Sequence, residues 1–245
     1  MRQLRFYIPF SLQVNLQYSI PESSARHMVR VLRLSEGDEI ILFNGDNYEY
    51  VARLMDVTKK NVSVFIVSQS LVDKESALNT HLIQSLSKGD KMETSIQKAV
   101  ELGVSEITPV SSERSNVSLS GERLEKKMMH WQAVIQSACE QTGRNKLPKL
   151  HSFAVLREVL DSLRANSALK LLLNPHAVVG MSEIEIAPKN VVILIGPEGG
   201  LSEVEVSYAI DCGFMPVKAG PRILRTETAG PAILSVAQAR WGDMV

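Results

Sequence analysis

The alternation of apolar and polar residues changes character close to residue 72. Before that point, short apolar runs separated by turn residues predict strands at residues 5–8, 39–43, 48–56 and 63–67. The segment Asn44-Gly-Asp-Asn47 between two of these runs predicts a β-hairpin. One short helix, with serines at its start, is expected at residues 25–32. We therefore predict a small, β-rich, barrel-like domain over residues 1–72.

Beyond a polar joint at residues 71–80, apolar runs of strand length alternate with stretches of helical periodicity. The predicted strands lie at residues 81–86, 107–110, 168–173, 191–195 and 214–218. The predicted helices lie at residues 90–102, 123–142, 155–163, 202–212 and 228–241. This alternation is typical of an α/β domain with a parallel sheet, which we assign to residues 73–245.

Three of these strands end in loops that are rich in glycine, proline and polar residues. The loops are Leu173-Asn-Pro-His176, Ile195-Gly-Pro-Glu-Gly-Gly200 and the segment 218–228. Because the carboxyl ends of parallel strands meet at one edge of a sheet, we expect the loops to converge where such sheets bind ligands. Glycine lets the backbone approach a flat polar ligand, although a purely structural βα turn uses glycine as well. Ser202, three residues before Glu205, predicts the start of the next helix.

The glycine loop does not match the common phosphate-binding motifs. It lacks the Gly-Lys-Ser/Thr ending of a P-loop and the G-x-G-x-x-G spacing of a dinucleotide site, and Glu198 would repel a phosphate. A neutral or cationic ligand is therefore favoured over a polyphosphate. There is also no G-x-S-x-G or H-E-x-x-H motif, which argues against the corresponding hydrolases.

The composition is that of an ordinary globular protein. Lys+Arg and Asp+Glu are equal at 27 each, so net charge alone does not indicate a nucleic-acid partner. Cys139 and Cys212 belong to no C-x-x-C or Cys/His cluster, which indicates core thiols in a reducing cytosol and no structural zinc. No apolar run reaches the roughly 18 residues of a membrane span, and the start lacks the apolar core of a signal peptide. We expect a soluble, cytoplasmic protein.

Arginines are grouped in two places. Arg26, Arg30 and Arg33 have the spacing of one helix face and suit phosphate contacts, although a solvated basic face is an equal alternative. Arg222 and Arg225 could hold a phosphate or a carboxylate. Next to them, Thr226 or Thr228 could cap the last helix, and Glu227 could pair with an arginine or act as a base, although a salt-bridged loop end is also possible.

Two C-terminal segments are the most distinctive, namely Ile195-Gly-Pro-Glu-Gly-Gly-Leu-Ser202 and Gly220-Pro-Arg-Ile-Leu-Arg-Thr-Glu-Thr-Ala229. Together they resemble the SPOUT class of RNA methyltransferases, and within it the RsmE family of 16S ribosomal RNA uridine-N3 methyltransferases. Further matches lie at residues 27–33, 89–93, 97–104, 113–115 and 138–144, so the resemblance covers essentially the whole chain in the family's order, although the amino-terminal match would be weak alone. One departure is Gly230-Pro231, where the family commonly has small helix formers, so we expect the last helix to begin late or to bend.

The resemblance implies a deep trefoil knot in the α/β domain and a PUA-like, RNA-binding amino-terminal domain. It also implies a homodimer, with the active site near the subunit interface. The knot would bind S-adenosylmethionine through its loops, at Leu173, Asn174, Ile195, Gly196, Pro197, Glu198, Gly199, Gly200, Ala219, Gly220, Ile223, Leu224, Arg225 and Thr226.

The activity implied is methylation of N3 of a uridine in 16S ribosomal RNA of the small subunit. As a hypothesis, Arg225 stabilises charge on a uracil carbonyl and Glu227 takes the N3 proton. RNA backbone contacts would come from Arg26, Arg30, Arg33, Arg114, Arg144 and Arg222. Two alternatives remain at this point. One is a related enzyme that modifies another uridine, a 2′-hydroxyl or transfer RNA, and the other is a non-catalytic RNA-binding or assembly factor.

Overall fold

The computed structural model describes residues 4–58, 61–115 and 119–244. The chain forms two compact units, of which the first comprises Met1–Glu75 and Gln136–Leu147 and the second Ser76–Ile135 and Pro148–Val245. The break after Glu75 falls within the polar joint at residues 71–80. The inclusion of residues 136–147 in the first unit has no local signal in the sequence, because it depends on contacts between distant parts of the chain.

The first unit contains a five-stranded sheet in the order β1-β3-β4-β5-β2. Its strands are β1 (Arg5–Tyr7), β2 (Gln17–Ser19), β3 (Glu39–Phe43), β4 (Tyr48–Val57) and β5 (Val62–Leu71). β1 runs parallel to β3, and the other neighbours are antiparallel. Four of the strands and the hairpin were predicted, but β2 is short and mostly exposed and has no apolar pattern. β1 and β2 are the two edge strands of this sheet, and they do not pair with each other in the described part of the chain. The sheet is therefore not closed by hydrogen bonds into the predicted barrel.

The helix predicted at residues 25–32 differs in its geometry. It begins earlier, as α1 (Glu22–Arg26), and continues as a π-helical segment, His27–Val31. Arg33 lies beyond this segment in a left-handed conformation, with φ of 56°. Arg26, Arg30 and Arg33 therefore do not share one regular α-helical face, because the wider π turn and the reversal at Arg33 change the direction of the side chains.

The described residues of the second unit form seven strands, and every pairing between these strands is parallel. The order is β12-β10-β11-β6-β7-β8, and β9 also pairs with β7. The strands are β6 (Asn79–Ser85), β7 (Glu106–Ser111), β8 (Lys149–Leu150), β9 (Ala154–Val155), β10 (Leu169–Leu173), β11 (Asn190–Ile195) and β12 (Met215–Val217). The predicted parallel α/β architecture is confirmed. β8 and β9 were not predicted, since two residues are too few to show a period.

Among the described residues, five α-helices follow β6, and the carboxyl-terminal part of the second of these helices belongs to the first unit. They are α2 (Lys91–Glu101), α3 (Gly121–Thr142), α4 (Leu156–Ser162), α5 (Glu203–Asp211) and α6 (Thr226–Trp241). α6 packs on α2, β6 and β11. α4 and α5 share an apolar cluster with Val192 and Leu194, which are alternate residues of β11. None of the helices described is long and apolar enough to cross a membrane.

The start of α6 corrects one expectation. The helix begins at Thr226, earlier than predicted, and it includes Pro231. Gly230 faces β6, where an added Cβ would make ordinary van der Waals contacts, 3.4 Å from Gln84 Oε1 and 3.6 Å from Leu82 Cδ1. The space around this position therefore does not by itself require a glycine.

Lys170 on β10 is a buried charge that the sequence pattern did not reveal. The residue is only 7% exposed. Its Nζ donates to the carbonyl oxygens of Leu163, Arg164 and Cys212, at 3.0, 3.2 and 2.8 Å. These carbonyls follow the carboxyl ends of α4 and α5, where unpaired carbonyls and the helix dipole favour a cation. Lys170 therefore stabilises the ends of two helices at once.

Candidate active site

The three strands that precede the conspicuous loops are neighbours in the sheet. β10 pairs with both β11 and β12, with Leu172 opposite Leu194 and Leu173 opposite Val217. Directly after β10, the Asn174 N–H donates to the carbonyl of Val217 at 2.9 Å. The carboxyl ends of the strands lie at one edge, so the predicted convergence of the loops is confirmed.

The glycine loop makes a tight turn between β11 and α5. Gly200 has a φ of 69°, and its N–H donates to the carbonyl of Pro197 at 2.9 Å. Ser202 Oγ accepts from the Glu205 N–H at 3.2 Å, and Glu205 Oε2 accepts from the Ser202 N–H at 2.9 Å. The predicted capping box is therefore confirmed, and it holds the end of the loop to the start of α5.

The carboxylate of Glu198 is committed to partners within the protein. Its Oε1 accepts from the Lys88 N–H at 3.1 Å and from Lys91 Nζ at 2.9 Å. Burial disfavours the charged form, but these hydrogen bonds and the charge of Lys91 outweigh it and lower the pKa of Glu198. The ionised carboxylate therefore fastens the glycine loop to the start of α2.

Thr226 connects the glycine loop to the last helix. Its Oγ1 donates to the carbonyl of Gly196 at 2.8 Å and accepts from Gln84 Nε2 at 3.0 Å. Neither Thr226 nor Thr228 is the N-cap residue, because that position is occupied by Arg225 and no side chain caps the helix. The predicted cap is therefore wrong, since the Thr226 hydroxyl is used for the contact with Gly196.

Gln84 was not identified from the sequence. It is fully buried on β6 and lies opposite Ile195, the residue before the glycine loop. The sequence offered little signal for it, because an amide does not stand out among the other polar residues of β6, which are Asn79, Thr80, His81 and Ser85. The role of this amide became visible only when the parallel register placed it beside the loop.

Arg225 and Glu227 lie together at the start of α6. The Arg225 side chain is 83% exposed, and its Nη1 is 4.0 Å from Glu227 Oε1. The Glu227 side chain is 19% exposed, and its Oε2 is buried with no hydrogen-bond partner among the described residues. An exposed guanidinium beside a largely buried carboxylate can serve a ligand that requires both a positive group and a proton acceptor.

The other residues predicted to bind the cofactor lie in the segment between β12 and α6. These are Ala219, Gly220, Ile223 and Leu224. The start of this segment is held by a hydrogen bond of 3.0 Å from the Lys218 N–H to the carbonyl of Val179. Ile223 is strongly exposed, so its apolar side chain is available for contact.

The arginines predicted to contact RNA differ in exposure. In the first unit, Arg26, Arg30 and Arg33 are exposed, and Arg26 pairs with Glu22 at 2.8 Å. In the second unit, Arg222 and Arg114 are exposed, and Arg114 Nη1 donates to the carbonyl of Gly199 at 3.3 Å.

Arg144 is the exception among these arginines. It is 4% exposed, and its Nη2 forms an ion pair with the carboxylate of Glu75. A guanidinium buried in this way is committed to the packing of the first unit. The structure therefore does not support the RNA contact predicted for Arg144.

Both cysteines are buried. Burial raises the pKa of the Cys139 thiol to about 12, so this thiol is protonated at neutral pH. The prediction that the thiols are core residues is confirmed.

Comparisons with known proteins agree with this geometry. Residues 74–238 match the family model of an RNA methyltransferase domain, and residues 20–67 match that of an RNA methyltransferase PUA domain. Ribosomal RNA small subunit methyltransferase E from Buchnera aphidicola is 36% identical over 98% of this chain and 97% of its own. The enzyme of that name from Bacillus subtilis is 34% identical over 86% of each chain.

A solved structure extends the similarity to three dimensions. The Neisseria gonorrhoeae ribosomal RNA small subunit methyltransferase E, bound to S-adenosylmethionine, is 40% identical and superposes with a TM-score of 0.95 over 100% of both chains. The convergent loops, the two family models and these relatives lead to one conclusion. This chain belongs to the RsmE family of ribosomal RNA methyltransferases.

Proposed function

We propose that this protein transfers the methyl group of S-adenosylmethionine to N3 of a uridine in 16S ribosomal RNA. The observation that carries the proposal is the match over the whole chain, at 40% identity, to the relative from Neisseria gonorrhoeae that holds S-adenosylmethionine. The names of the relatives point to small-subunit ribosomal RNA as the substrate. The acceptor atom, uridine N3, comes from the resemblance of the two C-terminal motifs to the family.

The cofactor would lie against the three loops at the carboxyl edge of the sheet, and the residues there fit it. A Cβ added to Gly200 or Gly220 would meet no atom within 4 Å, so open space borders both loops. The backbone can therefore approach a flat adenine without obstruction by side chains. A cationic sulfonium also suits loops that lack a phosphate-binding motif.

The chain between β12 and α6 would be threaded as a deep trefoil knot. β12 lies at the edge of the sheet, whereas α6 returns to pack on β6 and β11 at its centre. The hydrogen bonds of Thr226 to Gly196 and Gln84 would hold this crossing together. An experimental structure in which residues 218–226 run outside the preceding loops would contradict the knot, which is a rare feature of protein chains.

Arg225 and Glu227 would carry the chemistry at the acceptor. When bound, the cofactor supplies the electrophilic methyl group. Glu227, with its unpartnered Oε2, would accept the N3 proton, and general-base catalysis of this kind contributes about 10²–10⁴-fold. Arg225 would stabilise the negative charge that develops on a uracil carbonyl. The target base would be turned out of the RNA to reach them, and the transfer would require no metal ion.

RNA would be held by a PUA-like domain, to which we assign residues 1–72, and by the methyltransferase domain of residues 73–245. The exposed Arg26, Arg30 and Arg33 of the first and Arg114 and Arg222 of the second are the proposed phosphate contacts. From the resemblance, the protein would act as a homodimer. It would work in the cytoplasm, where ribosomal RNA is found.

Mass spectrometry of nucleosides tests the proposal. We would incubate small ribosomal subunits from a strain that lacks the protein, and in a parallel reaction its transfer RNA, with the purified protein and isotopically labelled S-adenosylmethionine. Labelled 3-methyluridine as the sole product is the expected result. A labelled 2′-O-methyl nucleoside or labelled transfer RNA would instead support a related enzyme with another target. Cofactor binding without any product would support an assembly factor.

A further inference from the structure

Two histidines and one glutamate from distant parts of the sequence meet at the sheet of the second unit. His81 lies on β6 and Glu106 on β7, opposite each other in the parallel register. His151 follows β8, and its N–H extends the ladder to the carbonyl of Ile107 at 2.9 Å. One potential ligand atom from each of the three side chains lies within 4.8 Å of the other two.

This cluster is separate from the proposed transfer site. His81 and Gln84 are both on β6, three residues apart, which corresponds to roughly 10 Å along a strand. Successive side chains of a strand point to opposite faces, so His81 and Gln84 also face opposite sides of the sheet. The glycine loop lies beside Gln84, whereas the cluster lies towards the amino ends of the strands.

The side chains are already arranged around a common point. His151 Nε2 is 2.5 Å from Glu106 Oε2, and the rings of His81 and His151 stack with centroids 5.3 Å apart. Ligand atoms of a tetrahedral zinc ion are about 3.3 Å apart, given metal–ligand distances of about 2.0–2.2 Å. Small side-chain rotations would therefore bring the three groups to coordination distance.

A hydrogen-bonded neighbour orients one of these ligands. His81 Nε2 is 2.7 Å from Thr108 Oγ1. When Nε2–H donates to this hydroxyl, the lone pair of the imidazole lies on Nδ1. Metal-binding histidines typically have such a partner on their other nitrogen, because it fixes both the tautomer and the orientation of the ring.

We propose that His81, Glu106 and His151 bind a divalent transition-metal ion, for which Zn²⁺ is the best match. Two imidazoles and a carboxylate form a ligand set that zinc uses, with a fourth position left for water. The side chains of His151 and Glu106 are partly exposed, so solvent can reach that position. The ion would join β6 and β7 to the chain after β8, a strand of only two residues.

Metal titrations of the full-length protein test this site. After removal of metal with EDTA, we would titrate the protein with Co²⁺ by visible absorption and with Zn²⁺ by calorimetry. The expected result is one ion per chain, with tetrahedral Co²⁺ bands. His151→Ala and Glu106→Gln should each lower the metal affinity by at least about tenfold, because each removes a direct ligand. Removal of a residue that only hydrogen-bonds to a metal ligand already lowers the affinity by about tenfold or more.

His130→Ala is the matched control, because His130 also pairs with a glutamate, Glu93, at 2.9 Å outside the cluster. It should leave the affinity unchanged. Zn²⁺ should also raise the melting temperature of the wild type and of His130→Ala, but not that of His151→Ala. Absence of stoichiometric binding, or binding that survives both cluster substitutions, would overturn the proposal. Circular dichroism of each variant without metal verifies folding.

Discussion

The Thr226 hydroxyl donates a hydrogen bond of 2.8 Å to the carbonyl of Gly196. This single contact joins the loop after β11 to the first residue of α6. Gln84 Nε2 donates a second hydrogen bond, of 3.0 Å, to the oxygen of the same hydroxyl. Because all three groups are buried or partly buried, the loss of this hydroxyl would leave polar groups at the start of the glycine loop without a partner.

Thr226→Val should therefore weaken cofactor binding. Valine keeps the shape of threonine but leaves the Gly196 carbonyl and the Gln84 amide without this partner, at a cost of about 1–3 kcal/mol. We expect the dissociation constant for S-adenosylmethionine to rise by about tenfold and the free energy of unfolding to fall. Calorimetry and urea denaturation would measure these changes. The exposed Thr228→Val is the control, and an equal effect there would contradict the role of Thr226.

Arg225→Ala should separate binding from chemistry. The Arg225 side chain is exposed and only weakly paired with Glu227, so its removal should not disturb the fold. We expect methyl transfer to small subunits to fall by about 10²–10³-fold, as for the loss of one group that stabilises transition-state charge. The affinity for S-adenosylmethionine should change little. Loss of cofactor binding in calorimetry would show instead that Arg225 belongs to the cofactor site.

The ion pair of Glu198 and Lys91 should make stability depend on pH in the acid range. The pKa of Glu198 is lowered in the folded protein, so the ionised form contributes stability above the unfolded pKa of about 4.3, and this is lost as the pH falls through the folded value. Glu198→Gln should cost about 1 kcal/mol at pH 7, and the difference from wild type should shrink below about pH 4. Melting temperatures from pH 7 to pH 3 would test this. Glu185→Gln, on an exposed side chain outside any helix, should show no such trend.

Lys170→Met should be among the more destabilising single substitutions in the second unit. Methionine fills a similar volume but leaves the carbonyls of Leu163, Arg164 and Cys212 without their donor. We expect a loss of about 3 kcal/mol in the free energy of unfolding, measured by chemical denaturation. The exposed Lys189→Met should change stability by less than about 0.5 kcal/mol. A similar loss in both variants would mean that the capping of the two helices contributes little.

Much of the fold was predictable from the sequence because its signals are local. The apolar run of β11, the glycines after it and the Ser202–Glu205 spacing identify a strand, a turn and a helix start within a few residues of each other. The family could also be recognised, since its motifs are contiguous. β2 and α1 were missed or misplaced because an exposed three-residue strand and a π turn have no comparable pattern.

The sequence by itself determined the two kinds of architecture, the convergence of three loops and the motifs of an RNA methyltransferase. The tertiary structure alone decided that Gln84 supports the glycine loop, that Arg144 is buried against Glu75, and that Lys170 stabilises two helix ends. It also brought His81, Glu106 and His151 together. The physical reason is that these contacts follow from strand register and from the return of distant segments, whereas periodicity and turn residues report only on neighbours along the chain.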